Sequence, residues 1–258
     1  MPTISVVLPV YNGARFLRSS IESILQQTFS DFEFFIIDDG STDESRVIIQ
    51  SYKDTRIQPF ENHQNIGITE SLNKGISAAR GKYIARMDAD DVSLFNRFEK
   101  QVGFLERHPE VAMVGANCTL IDGRGNTLGQ ENYFSSAAEI MKQIFVHNPF
   151  AHSAVMMRAD AIKECGMYDR RYLHNEDYDL WLRIASRHSV ANLEEVLLLR
   201  RVHESSVTAA NETEVAAYRV KTLFHAVIHY YGKPSYLIFV VRPVFAFLYR
   251  LVKGLYRR

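Results

Sequence analysis

The chain has 258 residues, of which 47% are hydrophobic and 12% aromatic, so it can bury a full core as one large α/β domain or as a domain with an appendage. Thirty basic and thirty acidic residues balance, which removes global electrostatic support for nucleic-acid binding, and we expect no nucleic-acid partner. Cys118 and Cys165 have no metal-ligand spacing, which indicates a reducing compartment or unpaired structural thiols. The apolar run 4–10 is too short for a signal peptide and contains Pro9, so a cytoplasmic location is expected.

Strand and helix patterns alternate through the first half of the sequence. Buried strands are predicted at 4–8 and 32–37, with apolar residues at helical spacing between them, which is βαβ order. The further elements predicted here are helices around 47–52 and 68–79 and strands at 57–60 and 83–87. This alternation predicts an α/β fold with a mainly parallel central sheet covered by helices on both faces.

From residue 111 the alternation changes. Two strands, at 111–116 and 119–121, are predicted beside a turn at 122–125. Strands at 154–158 and 196–201 flank a mixed region that includes an amphipathic helix after Asn175.

Acidic clusters follow two of the predicted strands. Asp39 follows the second strand, and Asp88, Asp90 and Asp91 follow the fourth. Carboxylates at the carboxyl ends of parallel strands face the crevice where open α/β sheets bind ligands. Oxygen ligands of this kind suit Mg²⁺ or Mn²⁺, and Mg²⁺ commonly joins one or two carboxylates to a phosphate. The first ligand to consider is therefore a nucleotide diphosphate held through a divalent cation.

The loop after the first strand, Pro9-Val10-Tyr11-Asn12-Gly13, supports the same interpretation. It has neither the Gly-x-Gly-x-x-Gly turn of a dinucleotide site nor the Gly-Lys-Ser/Thr of a P-loop. It offers a ring to stack on a base instead. Contact between unit charges at an effective dielectric of about 20 is worth on the order of 4 kcal/mol, so carboxylates beside a diphosphate require a cation.

Six segments, taken in order, resemble the motifs of bacterial family-2 glycosyltransferases with the GT-A fold. They are residues 6–13, 37–43, 65–67, 79–84, 88–91 and 175–182. The resemblance covers roughly residues 3–205, and ordered motifs are far more specific than any one alone. It implies a GT-A domain at 1–210, with a nucleotide-binding half at about 1–117 and an acceptor-binding half at about 118–210, followed by a C-terminal helical region at 211–258.

The resemblance assigns the nucleotide to one group of residues. It implies that Pro9, Tyr11 and Asp39 hold uracil or another base, with Tyr11 stacking on the ring and Asp39 accepting from a ring N–H. Asn65 and Gly67 are also candidates for nucleotide binding. The residues alone leave alternatives open, because Asp39 can cap a helix and Asn-x-Gly is commonly a turn.

The same resemblance places Asp88 near the ribose or the metal, makes Asp90 a metal ligand and gives Asp91 a supporting role. His203 would contact phosphate or complete the metal shell, and imidazole suits Mn²⁺ better than Mg²⁺. An acid-rich helix N-terminus is the alternative for the three aspartates. Ser41 or Asp43 is expected to cap the helix at 47–52.

Asp177 is the general base that the resemblance implies, with Glu176 supporting it. Both lie in the first turn of the predicted helix after Asn175, where amide dipoles keep a carboxylate ionised, and helix capping is the alternative. His152 precedes the strand 154–158 and is expected to be a satisfied structural histidine.

By resemblance, the function is inverting transfer of a sugar from a nucleotide-diphosphate donor, UDP-linked by expectation, to a hydroxyl of a saccharide or lipid-linked saccharide. Bacterial surface polysaccharide assembly is the expected setting. A non-catalytic nucleotide-sugar binding protein is the main alternative, followed by a sugar-phosphate nucleotidyltransferase. A phosphatase with an Asp-x-Asp nucleophile would carry that motif on its first strand. The sequence leaves a homo-oligomer open.

The C-terminal tail has its own charge pattern. Residues 233–258 contain six basic and no acidic residues, whereas the rest of the chain has an acidic excess. Its apolar run at 236–241 is well short of the roughly 20 residues that span a bilayer. Basic residues at 250, 253 and 257 share one helical face, which favours a peripheral helix on an anionic membrane, and packing on the protein body or a second subunit is the alternative.

Overall fold

A computed structural model describes residues 1–203, 212–241 and 243–245. The strands in these residues are β1 (Ile4–Val10), β2 (Phe32–Asp38), β3 (Ile57–Glu61), β4 (Tyr83–Arg86), β5 (Val92–Ser93), β6 (Val111–Ile121), β7 (Thr127–Glu131), β8 (Met156–Arg158) and β9 (Ser189–Arg201). The α-helices are α1 (Ala14–Leu25), α2 (Ser45–Ser51), α3 (Ile68–Ala78), α4 (Arg97–Arg107), α5 (Ala137–Gln143), α6 (Ala159–Glu164), α7 (Glu176–Ala185) and α8 (Glu212–His225).

All of these strands belong to one sheet, in the order β3-β2-β1-β4-β8-β6-β9-β5, with β7 paired to β6. β1 is parallel to β2 and β4, and β2 is parallel to β3. Val10 lies opposite Asp38, so the carboxyl ends of β1 and β2 coincide at one edge. β8 runs antiparallel between β4 and β6, and β6 is parallel to β9.

The core lies on both faces of this sheet, as the strand–helix alternation predicts. Along β1, Leu8 belongs to the cluster that includes Leu17 of α1, whereas Val7 belongs to the opposite cluster with Leu72 of α3. Successive strand side chains point to opposite faces, so a buried strand supplies both clusters. The predicted α/β fold is confirmed.

Several local predictions are wrong. β6 is one continuous strand instead of two, because residues 117 and 118 keep pairing with β9 across irregularities in register, and the turn at 122–125 leads into β7. The segment 154–158 begins within a 3₁₀ turn (His152–Ala154), and only Met156–Arg158 forms β8. β9 begins at Ser189, well before residue 196.

Asp43, one of the two predicted caps of α2, accepts from the backbone N–H of Ser45 (3.0 Å), the first residue of that helix. Glu44 occupies the N-cap position itself, and its side chain makes no capping hydrogen bond. Asp43 also accepts from the backbone N–H of Ala14 (2.9 Å), which joins the starts of α1 and α2.

A C-terminal helical region follows, as predicted. α8 continues into a π-helical turn (Ala226–Tyr230), a 3₁₀ turn (Pro234–Leu237) and helical residues 238–241 and 243–245. Its buried residues Leu223, Val227 and Val240 pack in a cluster with Phe145 and Tyr178 of the preceding domain. No helix among the described residues has both the length and the hydropathy needed to cross a membrane. The tail residues at 250, 253 and 257 lie outside the described residues.

Candidate active site

Hydrogen bonds join the loops after β1 and β2 at the carboxyl edge of the sheet. The backbone N–H of Asn12 donates to Ser41 Oγ (3.0 Å), and its side-chain Oδ1 accepts from the backbone N–H of Thr42 (2.8 Å). Asn12 adopts φ +52°, a conformation that asparagine tolerates better than most residues. Next to it, Tyr11 is 50% exposed, whereas Pro9 is buried in β1. This geometry presents the Tyr11 ring to solvent at the crevice.

Asp39 brings the loop after β3 to the same edge. Its carboxylate accepts from Asn62 Nδ2 (2.8 Å) and from the backbone N–H groups of Ile66 (3.0 Å) and Gly67 (2.9 Å). Asn65 Oδ1 also accepts from Gly67 N (3.0 Å), so Asn65 and Gly67 form a turn as well as lying beside Asp39. The structure therefore assembles these three predicted nucleotide residues, and it uses the Asp39 carboxylate to hold the loop.

Asp88, Asp90 and Asp91 converge between β4 and β5. One carboxylate oxygen from each lies within 4.8 Å of the others. Asp88 forms an ion pair with Arg86 and accepts a 2.5 Å hydrogen bond from Ser153 Oγ. Burial raises the pKa of Asp88, but the Arg86 charge together with the hydrogen bonds from Arg86 and Ser153 makes the net shift of this pKa downward.

The other two aspartates are tied to the end of β9. Asp91 Oδ1 accepts from the backbone N–H of Arg201 (2.8 Å), and Asp90 Oδ2 lies 2.9 Å from His203 Nε2. Burial and the charges of the other two aspartates raise the pKa of Asp91 to about 7. Burial and Asp88 also raise the pKa of Asp90. A divalent cation fits this donor set, because hard oxygen ligands suit Mg²⁺ and Mn²⁺ and a cation offsets the mutual repulsion.

Two buried arginines lie beneath the acid cluster. Arg86 is 1% exposed and donates to Ser153 Oγ (3.1 Å), while Arg97 donates to the carbonyl oxygens of Arg86 (2.9 Å) and Val155 (3.0 Å). Sequence reasoning missed both arginines and Ser153. The sequence did contain one indication of this arrangement: Arg86 lies inside the apolar run 83–87, and a charged residue buried there needs a partner.

Glu176 and Asp177 begin α7. Glu176 is 7% exposed, and its Oε2 is buried without a hydrogen bond among the described residues. Asp177 Oδ2 accepts from Asn148 Nδ2 (2.8 Å), a partner that sequence reasoning missed. Burial raises the pKa of Asp177, and burial together with Asp177 raises the pKa of Glu176 to about 7.

The acid cluster and the acid pair belong to one electrostatic environment. The charges of Arg86 and Asp88 both affect the pKa values of Glu176 and Asp177, in opposite directions. The acid cluster and the acid pair are therefore close enough for their charges to interact, and the Arg86 charge lowers the pKa of Asp88, Glu176 and Asp177 alike.

His152 has the environment of a structural histidine. Its Nε2 lies 2.8 Å from the Tyr168 hydroxyl, and its ring packs edge-on to Trp181. Burial and the nearby Arg86 hold the pKa of His152 well below its usual value, so the ring is neutral.

A central sheet with three clustered aspartates after its fourth strand, and a buried acid pair at a later helix start, is the arrangement expected of a glycosyltransferase with the GT-A fold. The chain belongs to glycosyl transferase family 2, whose family model matches residues 5–166.

Named relatives agree with this membership. The chain is 37% identical over 209 residues to an uncharacterised glycosyltransferase of Methanocaldococcus jannaschii, covering 78% of this chain and 71% of the relative. It is 40% identical over 189 residues to the putative glycosyltransferase EpsE of Bacillus subtilis, covering 70% and 66%. It is 34% identical over 229 residues to the amylovoran biosynthesis glycosyltransferase AmsE of Erwinia amylovora, covering 84% and 85%.

Solved structures share the fold. S. aureus TarS 1–349 in complex with UDP-GlcNAc matches with a TM-score of 0.75 at 18% identity, covering 95% of this chain and 73% of that one. The mannosyltransferase PcManGT from Pyrobaculum calidifontis, in complex with GDP-Man and Mn²⁺, matches with a TM-score of 0.69 at 17% identity, covering 94% and 68%. The GT-A fold expected from the motifs is confirmed.

Proposed function

We propose that this glycosyltransferase moves a sugar from a UDP-linked donor to a hydroxyl of a saccharide or lipid-linked saccharide, with inversion at the anomeric carbon. The observation that carries the proposal is the cluster of Asp88, Asp90 and Asp91, whose oxygens lie within 4.8 Å of one another, with the buried pair Glu176 and Asp177 near enough to sense the charge of Asp88. AmsE is named for amylovoran biosynthesis, which supports bacterial surface polysaccharide assembly as the setting.

The nucleotide binds at the edge formed by the carboxyl ends of β1 and β2. Tyr11 stacks on the base, Pro9 shapes the floor beneath it, and Asp39 accepts from a ring N–H. Because Asp39 already accepts from the N–H groups of Ile66 and Gly67, base binding shares or replaces those hydrogen bonds. TarS, which has the same fold, was solved with UDP-GlcNAc, and this supports UDP as the carrier.

Asp90 and Asp91 would hold Mn²⁺ or Mg²⁺, with Asp88 near the ribose or the metal and with His203 as a further metal ligand or a phosphate contact. A bound cation would neutralise charge on the departing diphosphate. Asp90 and His203 are already in contact, so His203 orients that carboxylate. PcManGT, which shares the fold, was solved with Mn²⁺.

Asp177 removes the proton from the acceptor hydroxyl. The acceptor oxygen forms the new bond to the anomeric carbon while the bond to the diphosphate oxygen breaks and its electron pair leaves with the diphosphate. The proton passes to an Asp177 carboxylate oxygen late in the step. Glu176 supports the base by holding a proton itself, since its raised pKa of about 7 reduces the negative charge next to Asp177. Positioning and electrostatics supply the remaining rate acceleration.

The experiment incubates the protein with a panel of nucleotide sugars, Mn²⁺ and saccharide or lipid-linked acceptors, and it measures nucleoside diphosphate release and product anomeric configuration. Acceptor-dependent UDP release with an inverted product supports the proposal. Nucleotide binding without turnover on any acceptor favours a sensor, and pyrophosphate-linked exchange favours a nucleotidyltransferase.

We further propose that the C-terminal region rests on an anionic membrane surface, beside a lipid-linked acceptor. Large hydrophobic residues are exposed here, namely Phe224, Ile228, Ile238, Phe239, Val241 and Phe245. Six basic residues and no acid at 233–258 complement anionic lipid. Val240 of this segment packs on the domain, and the Phe239 ring stacks on Phe145 with 5.9 Å between ring centroids, so the other exposed residues are the ones that remain for attachment.

Vesicle sedimentation tests this attachment. Deleting residues 243–258, or changing Phe245→Ser, should release the protein from anionic vesicles in a salt-sensitive manner while UDP binding persists. Phe95→Ser is a matched control, because Phe95 (62% exposed) and Phe245 (68% exposed) are similarly accessible. Equal loss of vesicle binding in Phe245→Ser and Phe95→Ser would contradict attachment to a membrane. Full-length protein that never sediments with anionic vesicles would contradict it as well.

A further inference from the structure

Asn148 lies in the segment between α5 and the 3₁₀ turn at 152–154, and it is the side chain that contacts the proposed base. Its Nδ2 donates to Asp177 Oδ2 at 2.8 Å. The backbone N–H of Phe150 donates to its Oδ1 (3.3 Å). An amide whose oxygen accepts on one side must turn its NH₂ to the other, so this second bond aims the donor at Asp177.

Three different elements hold the segment that carries Asn148. Tyr178 of α7 donates its hydroxyl hydrogen to the carbonyl oxygen of Ile144, and Arg219 of α8 donates to that of Val146. Asn192 of β9 donates through Nδ2 to the carbonyl oxygen of Pro149 (3.1 Å). Backbone acceptors on both sides of Asn148 are therefore fixed, and the C-terminal helix α8 is one of the supports.

The neighbouring Asp177 Oδ1 accepts from the backbone N–H of Tyr178 (2.6 Å). Each carboxylate oxygen thus has one donor, a combination that sets both the rotation of the group and its charge state. A carboxylate that receives hydrogen bonds is favoured in its ionised form.

We propose that Asn148 is a positioning residue, whose side-chain amide holds the Asp177 carboxylate in the rotation and ionised state that proton abstraction requires, with Arg219 anchoring the segment from α8. This inference rests on the proposed role of Asp177 as the base. It gives the C-terminal helical region a function in catalysis that is independent of any membrane.

Other charged and titratable groups face Asp177 and set the background for a pH measurement. Glu176 and Tyr178 flank it on α7, Tyr168 lies on the segment before α7, and the charges of Arg86 and Asp88 reach it from the β4 edge. These groups are unchanged in an Asn148 variant. Removing the Asn148 donor therefore raises the pKa of Asp177 by itself, and a larger share of the base is protonated at low pH.

The experiment measures kcat against pH for the parent, Asn148→Ala and Asn148→Asp, with UDP affinity measured in parallel. Asn148→Ala should move the acidic limb of the profile upward by about one pH unit, because hydrogen bonds to charged groups are among the stronger ones. At a pH below the limb the loss is about tenfold, and it shrinks as pH rises. Asn148→Asp keeps the size of the side chain and puts a second carboxylate against Asp177, so its limb should move further.

Asn126→Ala is the matched control. Asn126 Nδ2 also donates to a carboxylate, Asp122 Oδ2 (2.9 Å), but in an exposed turn. Its profile should follow the parent, and Arg219→Met should lower kcat by severalfold with UDP affinity retained.

A uniform fall in kcat with an unmoved acidic limb in both Asn148 variants would overturn the inference and leave Asn148 a structural role. Asp177→Asn separates the two levels of the proposal. If that variant still transfers sugar, the base assignment fails; if it is inactive while the Asn148 variants keep the parent limb, the positioning role alone fails.

Discussion

The acid cluster after β4 and the acid pair at the start of α7 contain the same functional group in different surroundings. In the cluster, Arg86, Ser153 and the end of β9 all contact the carboxylates. In the pair, Asn148 and one backbone N–H contact Asp177, and Glu176 Oε2 has no hydrogen bond among the described residues.

This difference indicates what each group can bind. Three carboxylate oxygens within 4.8 Å of one another attract a cation of high charge. Burial raises the pKa of both Glu176 and Asp177, and the charge of Asp177 adds to the rise at Glu176. The protein thus has one group suited to a metal ion and another suited to a proton, and single substitutions can test the two separately.

The largest effect is expected when the proposed base, Asp177, is changed. Asp177→Asn removes the base and leaves the acid cluster untouched, so glycosyl transfer should fall by about 10³-fold or more. Binding of UDP and Mn²⁺, measured by calorimetry, should match the parent. Near-normal transfer would move the base role to Glu176 or elsewhere.

Asp90→Asn is the corresponding change in the acid cluster. It should weaken Mn²⁺-dependent UDP binding and lower transfer by about 10²-fold, because charge on the leaving diphosphate is no longer fully offset. The fold should persist, since the change relieves repulsion between acids that raises the pKa of Asp91. Titration of Mn²⁺ followed by electron paramagnetic resonance measures the affinity directly, and unchanged Mn²⁺ affinity would contradict the metal assignment.

Glu176→Gln tests which acid of the pair keeps the proton. The folded state raises the Glu176 pKa from 4.5 to about 7, so the protonated form stabilises the fold below pH 4.5 and this contribution is lost as pH rises through about 7. Glutamine mimics the protonated form. The free energy of unfolding of the variant should therefore exceed that of the parent at pH 8.5, by up to about 3 kcal/mol, and match it near pH 4.

Denaturant unfolding at the two pH values gives this difference. The exposed Glu195→Gln is the control and should show no pH-dependent gain. A gain of equal size at both pH values would show that Glu176 is not protonated by the fold.

The smallest effect is expected at His203, and it decides whether this residue belongs to the proposed metal site. His203→Gln removes the ring that contacts Asp90 and should weaken Mn²⁺ affinity by about tenfold, the lower range for groups that orient a ligand. His108→Gln, on the outer surface, is the control. Unchanged Mn²⁺ affinity together with weaker UDP binding would assign His203 to the phosphate instead.

Periodicity predicted the sheet and its helices on both faces, because these depend on local patterns of apolar residues. The ordered motifs predicted the family. They also predicted that Asp88, Asp90 and Asp91 follow the fourth strand, where the structure brings their carboxylates together, since carboxyl ends of parallel strands share one edge. Binding and catalytic roles of these residues remain predictions.

Arg86, Ser153 and Asn148 were not predicted, because their roles depend on which strands become neighbours. β8 inserts antiparallel between β4 and β6, and this pairing brings Ser153 to Asp88 from 65 positions further along the chain. No periodicity in one sequence specifies such a pairing. The two-strand interpretation of 111–121 failed for a related reason, since pairing with the long strand β9 keeps residues 117 and 118 within one strand.

β8 and β9 come late in the chain but pair with earlier strands, and this has a consequence for how the site forms during synthesis. Arg201 reaches Asp91 across 110 positions, so the three aspartates are synthesised long before their partners. Contacts of such high sequence separation form late and slowly, because loop closure costs entropy before the contact is gained. A nascent chain that ends before residue 150 would hold all three aspartates without Ser153 or Arg201. The proposed metal site is therefore complete only when the last core strand is in place, and we expect Mn²⁺ binding, if the proposal holds, to report complete folding.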